Sequence, residues 1–192
     1  MRTLWIARHG NRQDFADPNW ASSAERPHDP GLAPDGVKQA RQLGHRLAEA
    51  AIDHVFASPF LRTIQTAHHV ADVTGHDVRL EAGLGEWRNP HWYDTAPTLL
   101  PPDVLRETFP RVRLDHDTCQ RATYPEGKDD ALRRIGTAGR CLAARYADDS
   151  LLLVGHGITV YGLLRGFLGS IPDTGCPLAS LTELVHDDRG WH

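Results

Sequence analysis

No stretch of about 18 consecutive apolar residues occurs in the 192-residue chain, so no transmembrane helix is expected. The apolar stretch within Met1–Ala7 ends at the charged pair Arg8-His9. It is too short for a signal-peptide core, and a cytoplasmic protein that is not exported is expected. No long basic run occurs and the net charge is −4, so binding to nucleic acid or to a membrane surface is not expected. A local basic pocket for a small anion remains compatible with that charge. Cysteine is scarce: Cys119, Cys141 and Cys176 are odd in number and far apart, and they read as reduced thiols, not a disulfide framework. Twelve histidines are present, yet none falls in a His-x-His or HExxH pattern and no CxxC occurs. Neither a metal site nor a cofactor is therefore expected. The neighbours His68 and His69 would point about 100° apart on a helix, which suits a shared metal poorly.

Short apolar runs alternate with helical periodicity along the chain. Strands are expected at Thr3–Ala7, His54–Ala57, Asp77–Leu80, Ser150–Val154 and Ala179–Val185, the last ending in a turn at His186–Gly190. From Pro34, apolar residues recur at Val37, Ala40, Leu43, Leu47 and Ala51, one face of a helix whose first turn Asp35 supports. Ser58-Pro59 reads as an N-cap and first helical residue, opening a helix that stops at Gly75. Further helices are expected near 101–108, over Lys128–Tyr146 and over Ile158–Leu168. The alternation predicts a three-layer α/β/α sandwich with a mostly parallel sheet and an antiparallel final strand. Residues 11–33 and 81–125 are rich in proline and irregular. They read as two insertions that form one cap on a single domain spanning 1–192.

Two strands end alike, the first at Ala7-Arg8-His9-Gly10 and the later one at Val154-Gly155-His156-Gly157. Ligands of open α/β sheets bind at the carboxyl ends of strands, so neighbouring strands would bring His9 and His156 together. Either histidine alone reads as a turn residue. The pair, with Arg8 and Arg12 nearby, reads as a site.

Arg8-His9-Gly10 is followed in order by Leu32-Ala33-Pro34-Asp35-Gly36, Ser58-Pro59-Phe60-Leu61-Arg62 with Gln65-Thr66-Ala67, Gly83-Leu84-Gly85-Glu86-Trp87, and Gly155-His156-Gly157. This ordered set resembles the histidine phosphatase superfamily, the phosphoglycerate-mutase-like group. Arg8-His9-Gly10-Asn11-Arg12, Ile52-Asp53-His54-Val55 and Gln65-Thr66-Ala67-His68 resemble most the phosphatase domain of the suppressor of T-cell receptor signalling proteins. The resemblance implies a metal-independent phosphatase acting on a small phosphorylated substrate, an aryl phosphate being one candidate. It implies His9 as nucleophile, Glu86 as general acid, and His156, Arg8 and Arg62 as further catalytic groups. Arg8, Arg12, Arg62 and His156 would bind the phosphate, whose two charges suit guanidinium forks. His156 is expected to add positive charge, and Leu84 and Trp87 to desolvate Glu86. From the residues alone, Glu86 is not separable from Glu81 or Asp94.

Mutases of the group carry serine where Arg12 stands here, which favours hydrolysis over transfer to a second hydroxyl. The alternatives are a phosphoglycerate mutase and a non-catalytic phospho-ligand-binding protein on the same fold. The cap segments hold Phe15, Trp20, Trp87, Trp92 and Tyr93. Of these, Trp87 and Trp92 are expected to wall the leaving group, or else to form a small core of the cap. The sequence leaves the oligomeric state open, with a homodimer as one outcome.

Overall fold

Leu4, Trp5, Ile6 and Ala7 are all buried, so strand β1 (Arg2–Arg8) has protein packed on both faces. This computed structural model describes residues 2–192. After β1 come two single-turn helices, α1 (Gln13–Ala16) and α2 (Trp20–Ser23), and then α3 (Pro34–Leu47). Next are β2 (His54–Ala57), α4 (Leu61–Thr74), β3 (Val78–Leu80), α5 (Pro102–Thr108) and β4 (Val112–Arg113). The chain closes with α6 (Lys128–Arg145), β5 (Leu151–Gly155), α7 (Gly157–Leu168), β6 (Leu181–Asp187) and β7 (Gly190–Trp191).

The seven strands form one sheet in the order β4-β3-β2-β5-β1-β6-β7. From β4 to β1 every pairing is parallel, while β6 runs antiparallel to β1 and β7 antiparallel to β6. Side chains alternate between faces with the period of two that a strand imposes. Trp5, Ala7, Val55, Ala57, Leu152 and Val154 pack with the apolar residues of α3 and α4. Leu4, Ile6, Phe56, Leu151 and Leu153 pack with those of α6 and α7. The result is the expected sandwich, with its mostly parallel sheet and antiparallel final strands.

The differences from the sequence reading are local. Helix α3 ends at Leu47, before Ala51, with Asp35 in its first turn as expected and accepting a hydrogen bond from Asn11 Nδ2 at 2.8 Å. Helix α4 stops at a left-handed Gly75 as expected but begins at Leu61, because Ser58 turns its hydroxyl elsewhere. The 81–125 stretch contains β4, which adds an edge strand to the sheet. The turn expected at His186–Gly190 is the tight end of the β6–β7 hairpin, with Gly190 at positive φ.

The reading of three free thiols is corrected: Cys119 and Cys141 form a disulfide, and only Cys176 is free. The cause is tertiary. Fully buried Glu81 accepts hydrogen bonds from Thr118 Oγ1, the Cys119 amide and the Gln120 amide. That strap is thereby held where α6 presents Cys141.

Candidate active site

The β1–β5 register pairs Arg8 with Gly155, so the strands end level and release His9 and His156 side by side. The His9 amide donates to Gly155 O at 2.9 Å, and the two rings lie 5.4 Å apart between centroids. The chain leaves β1 over the α3 face and leaves β5 over the α7 face, which opens a crevice between them. Gly10 and Gly36 let the first turn of α3 approach this corner. A Cβ on Gly10 would meet Gly36 O at 2.5 Å, and one on Gly36 would meet Asn11 O at 2.1 Å.

Both histidines are buried. His9 Nδ1 lies 2.7 Å from Gly10 O. A carbonyl only accepts, so Nδ1 carries the proton and Nε2 keeps its lone pair. Burial, then the charge of Arg62, holds the His9 imidazolium well below its ordinary range, with Arg8 and Arg12 acting the same way. His156 Nε2 lies 2.8 Å from Ser58 Oγ. The hydroxyl also receives a long bond from the Phe60 amide at 3.5 Å. His156 Nδ1 is buried with no hydrogen-bond partner and lies 3.4 Å from Glu86 Oε2. Burial, then Arg62, then His9 keeps His156 neutral. Burial thus opposes the positive charge expected of His156.

Arg62 is the second residue of α4 and only 1% exposed. Its Nη2 lies 3.4 Å from Glu86 Oε2, while Nε and Nη1 are buried with no partner. A desolvated guanidinium with unspent donors is costly unless an anion meets it. Arg8 donates Nη1 to Cys176 O and keeps Nε buried and unpartnered. The fork of Arg12 is engaged by Asp14 through both Nε and Nη2, above the ring of Phe15. Geometry also separates the three carboxylates. Glu81 is saturated in the strap and Asp94 is exposed, whereas Glu86 sits beside Arg62 and His156. Arg134 braces the loop before Glu86, pairing with Glu126 and donating to Gly83 O and Gly85 O.

A cavity of about 360 Å³ opens above these groups. Its walls come from both insertions: Phe15 and His28 from the first, Trp92 and Tyr93 from the second, with Arg12, Arg62 and Glu86 among the polar residues. Trp92 and Phe15 are each 56% exposed. Trp87 does not line the cavity; its indole donates to Glu126 O at 2.7 Å and its ring packs on Trp92. Leu84 is buried in the core on the α6–α7 face. Sequence reasoning missed Ser58 as a partner of His156 and His28 as a lining residue, while Tyr93 had been named among the cap aromatics. A Ser-Pro pair before a helix carries the cap signal, which masked the first.

Among the described residues, no group of three or more His, Cys, Asp or Glu side chains is placed to hold a metal ion, and no helix is long and apolar enough to cross a membrane.

Comparison with known proteins gives a family match and two kinds of relative. The model of the histidine phosphatase superfamily (branch 1) matches residues 4–192. The ecdysteroid-phosphate phosphatase of Drosophila melanogaster is 32% identical over 231 residues, covering 96% of this chain and 29% of that protein. Ubiquitin-associated and SH3 domain-containing protein B of Mus musculus is 31% identical over 160 residues, covering 66% of this chain and 24% of that protein. The chain thus spans about a quarter of the length of these curated relatives. The crystal structure of the ecdysone phosphate phosphatase from Bombyx mori, in complex with tungstate, superposes with a TM-score of 0.84 at 20% identity. It covers 100% of this chain and 91% of that one.

Proposed function

The chain belongs to the histidine phosphatase superfamily, branch 1, and from that premise we propose that it hydrolyses phosphate monoesters through a phosphohistidine on His9. The observation that carries the reading is the state of His9, a neutral ring whose Nδ1–H is tied to Gly10 O and whose Nε2 lone pair is free. Nε2 attacks phosphorus, the bond from phosphorus to the ester oxygen breaks, and Glu86 gives its proton to the departing oxygen. Arg62, Arg8 and the Nδ1–H of His156 bind the phosphoryl oxygens as charge builds on them. Water then attacks the phosphohistidine, Glu86 takes its proton, and phosphate leaves with His9 restored. Arg12 joins the phosphate site only by loosening its bonds to Asp14. This mechanism uses no metal, and full turnover in the presence of a chelator is the expected result.

Hydrolysis is favoured over mutase action by Arg12 at the position where mutases carry serine, with its fork turned to Asp14. A purely binding role is disfavoured because the nucleophile and the acid are both present. The two insertions act as one cap on a single domain. His28 packs edge-on against Tyr93 at 5.0 Å, and Asp29 reaches back to the Leu61 amide. Phe15, Trp92 and Tyr93 suit an aryl or bulky apolar leaving group, with Trp87 supporting Trp92 from behind. The expectation of a cytoplasmic enzyme rested in part on three free thiols, and the Cys119–Cys141 bond removes that part.

The test is a comparison of kcat/KM for phosphotyrosine, a sugar phosphate and 3-phosphoglycerate, in the parent and in Trp92→Ala. Phosphotyrosine should lead in the parent, and its lead should shrink about two- to tenfold in the variant, the worth of one ring pairing. A clear preference for 3-phosphoglycerate would overturn the substrate class.

A further inference from the structure

A second cavity, of about 390 Å³, lies at the carboxyl ends of β2, β3 and β4, outside the catalytic pocket. Its titratable lining is Arg88, Arg113, His116 and Arg121, and no Asp or Glu lines it. Arg113 is spent on Asp77 at 2.9 Å, and His116 on Glu81 at 3.0 Å. Arg88 and Arg121 form no ion pair among the described residues. Arg88 Nη1 is moreover buried with no hydrogen-bond partner. The rest of the wall is largely apolar, with Pro59, Leu80, Leu99 and Leu114.

Half-buried Arg88 and exposed Arg121 thus border an apolar floor without a carboxylate in the wall. A buried donor without an acceptor is costly, and a charge-assisted bond to an anion relieves that cost. The volume falls within the usual range of small-ligand pockets. We propose that this cavity binds a small organic anion with an apolar body, a carboxylate on a short acyl or aryl chain. Its carboxylate meets Arg88 and Arg121, and its chain lies along Leu99 and Leu114. The ligand is separate from the substrate. One arginine of each cavity stacks on Phe60, whose ring centroid lies 4.6 Å from the Arg62 guanidinium and 4.9 Å from that of Arg88. The same ring packs edge-on against His156 at 5.0 Å. An anion drawn to Arg88 therefore acts one contact away from the phosphate-binding groups.

Octanoate is the probe, titrated by calorimetry into the full chain with vanadate present to occupy the catalytic pocket. One equivalent should bind, while octanol and octylamine at the same concentration should not. Arg121→Gln and Leu99→Asp should each weaken octanoate about tenfold, the worth of one charged hydrogen bond or one buried chain contact. Without octanoate, both variants should turn over p-nitrophenyl phosphate like the parent, since neither residue touches the catalytic pocket. No binding, displacement of octanoate by vanadate, or unchanged affinity in both variants would overturn the proposal. Failure of the phosphatase reading would register separately, as absent turnover of p-nitrophenyl phosphate in the parent.

Discussion

Glu86 lies 3.4 Å from both Arg62 and His156, and in the proposed mechanism it protonates the leaving group. Glu86→Gln should slow hydrolysis of alkyl phosphates by about 10²–10⁴, the usual worth of general acid catalysis. Formation of the phosphoenzyme from p-nitrophenyl phosphate should suffer far less, because that leaving group needs no proton. Equal and negligible losses for both esters, read by stopped-flow kinetics, would remove Glu86 from the mechanism. At this scale much of the site was legible. The glycine-flanked histidines at two strand ends suggested convergence from position alone, whereas Arg62 and Glu86 stood out only through ordered motifs. Ser58 was not legible, since its partner His156 lies 98 residues away and its own neighbours signal a helix cap. The neutral state of His156 was equally hidden, because it depends on burial and on the nearby charge of Arg62.

Helix α4 presents Arg62 in its first turn, and no side chain of its own N-cap residue bonds there. Asp29, in the first insertion, does that work from a distance, its Oδ1 accepting the Leu61 amide at 2.7 Å. Asp29→Ala should lower stability to urea by about 0.5–2 kcal/mol, the worth of a cap. It should also lower kcat/KM, because the helix end that carries Arg62 loosens. Asp29→Asn keeps the acceptor and should stay near the parent; loss of activity as large as in Asp29→Ala would refute the capping role. The long periodic helices α3, α4, α6 and α7 were readable because each has one apolar stripe, and the central strands because they are continuous apolar runs. Inside the insertions α5 was readable, as a helix near 101–108, and the other elements were not. Helices α1 and α2 are four residues each and β4 is two, too short for any period to register. The Cys119–Cys141 bond was unreadable for another reason: the strap that carries Cys119 is held by buried Glu81, not by local sequence.

Across the whole molecule, burial of His9 and His156 links folding to pH. Both have folded-state values below the ordinary imidazole range of about 6.5 that the unfolded chain keeps. The unfolded chain therefore binds more protons below that pH, and stability falls as pH drops through about 6.5 toward the folded values. Urea unfolding between pH 7.5 and 5.5, values chosen to bracket about 6.5, should show this fall, and His156→Gln should make it shallower. An identical pH slope in parent and variant would contradict the neutral, buried state assigned to His156. The central claim is that turnover passes through a covalent intermediate on His9, and rapid quench with radiolabelled substrate tests it most directly. The account predicts an acid-labile, base-stable label that maps to His9 and decays at the rate of turnover. Turnover with no label on the protein, or label on any other residue, would contradict it.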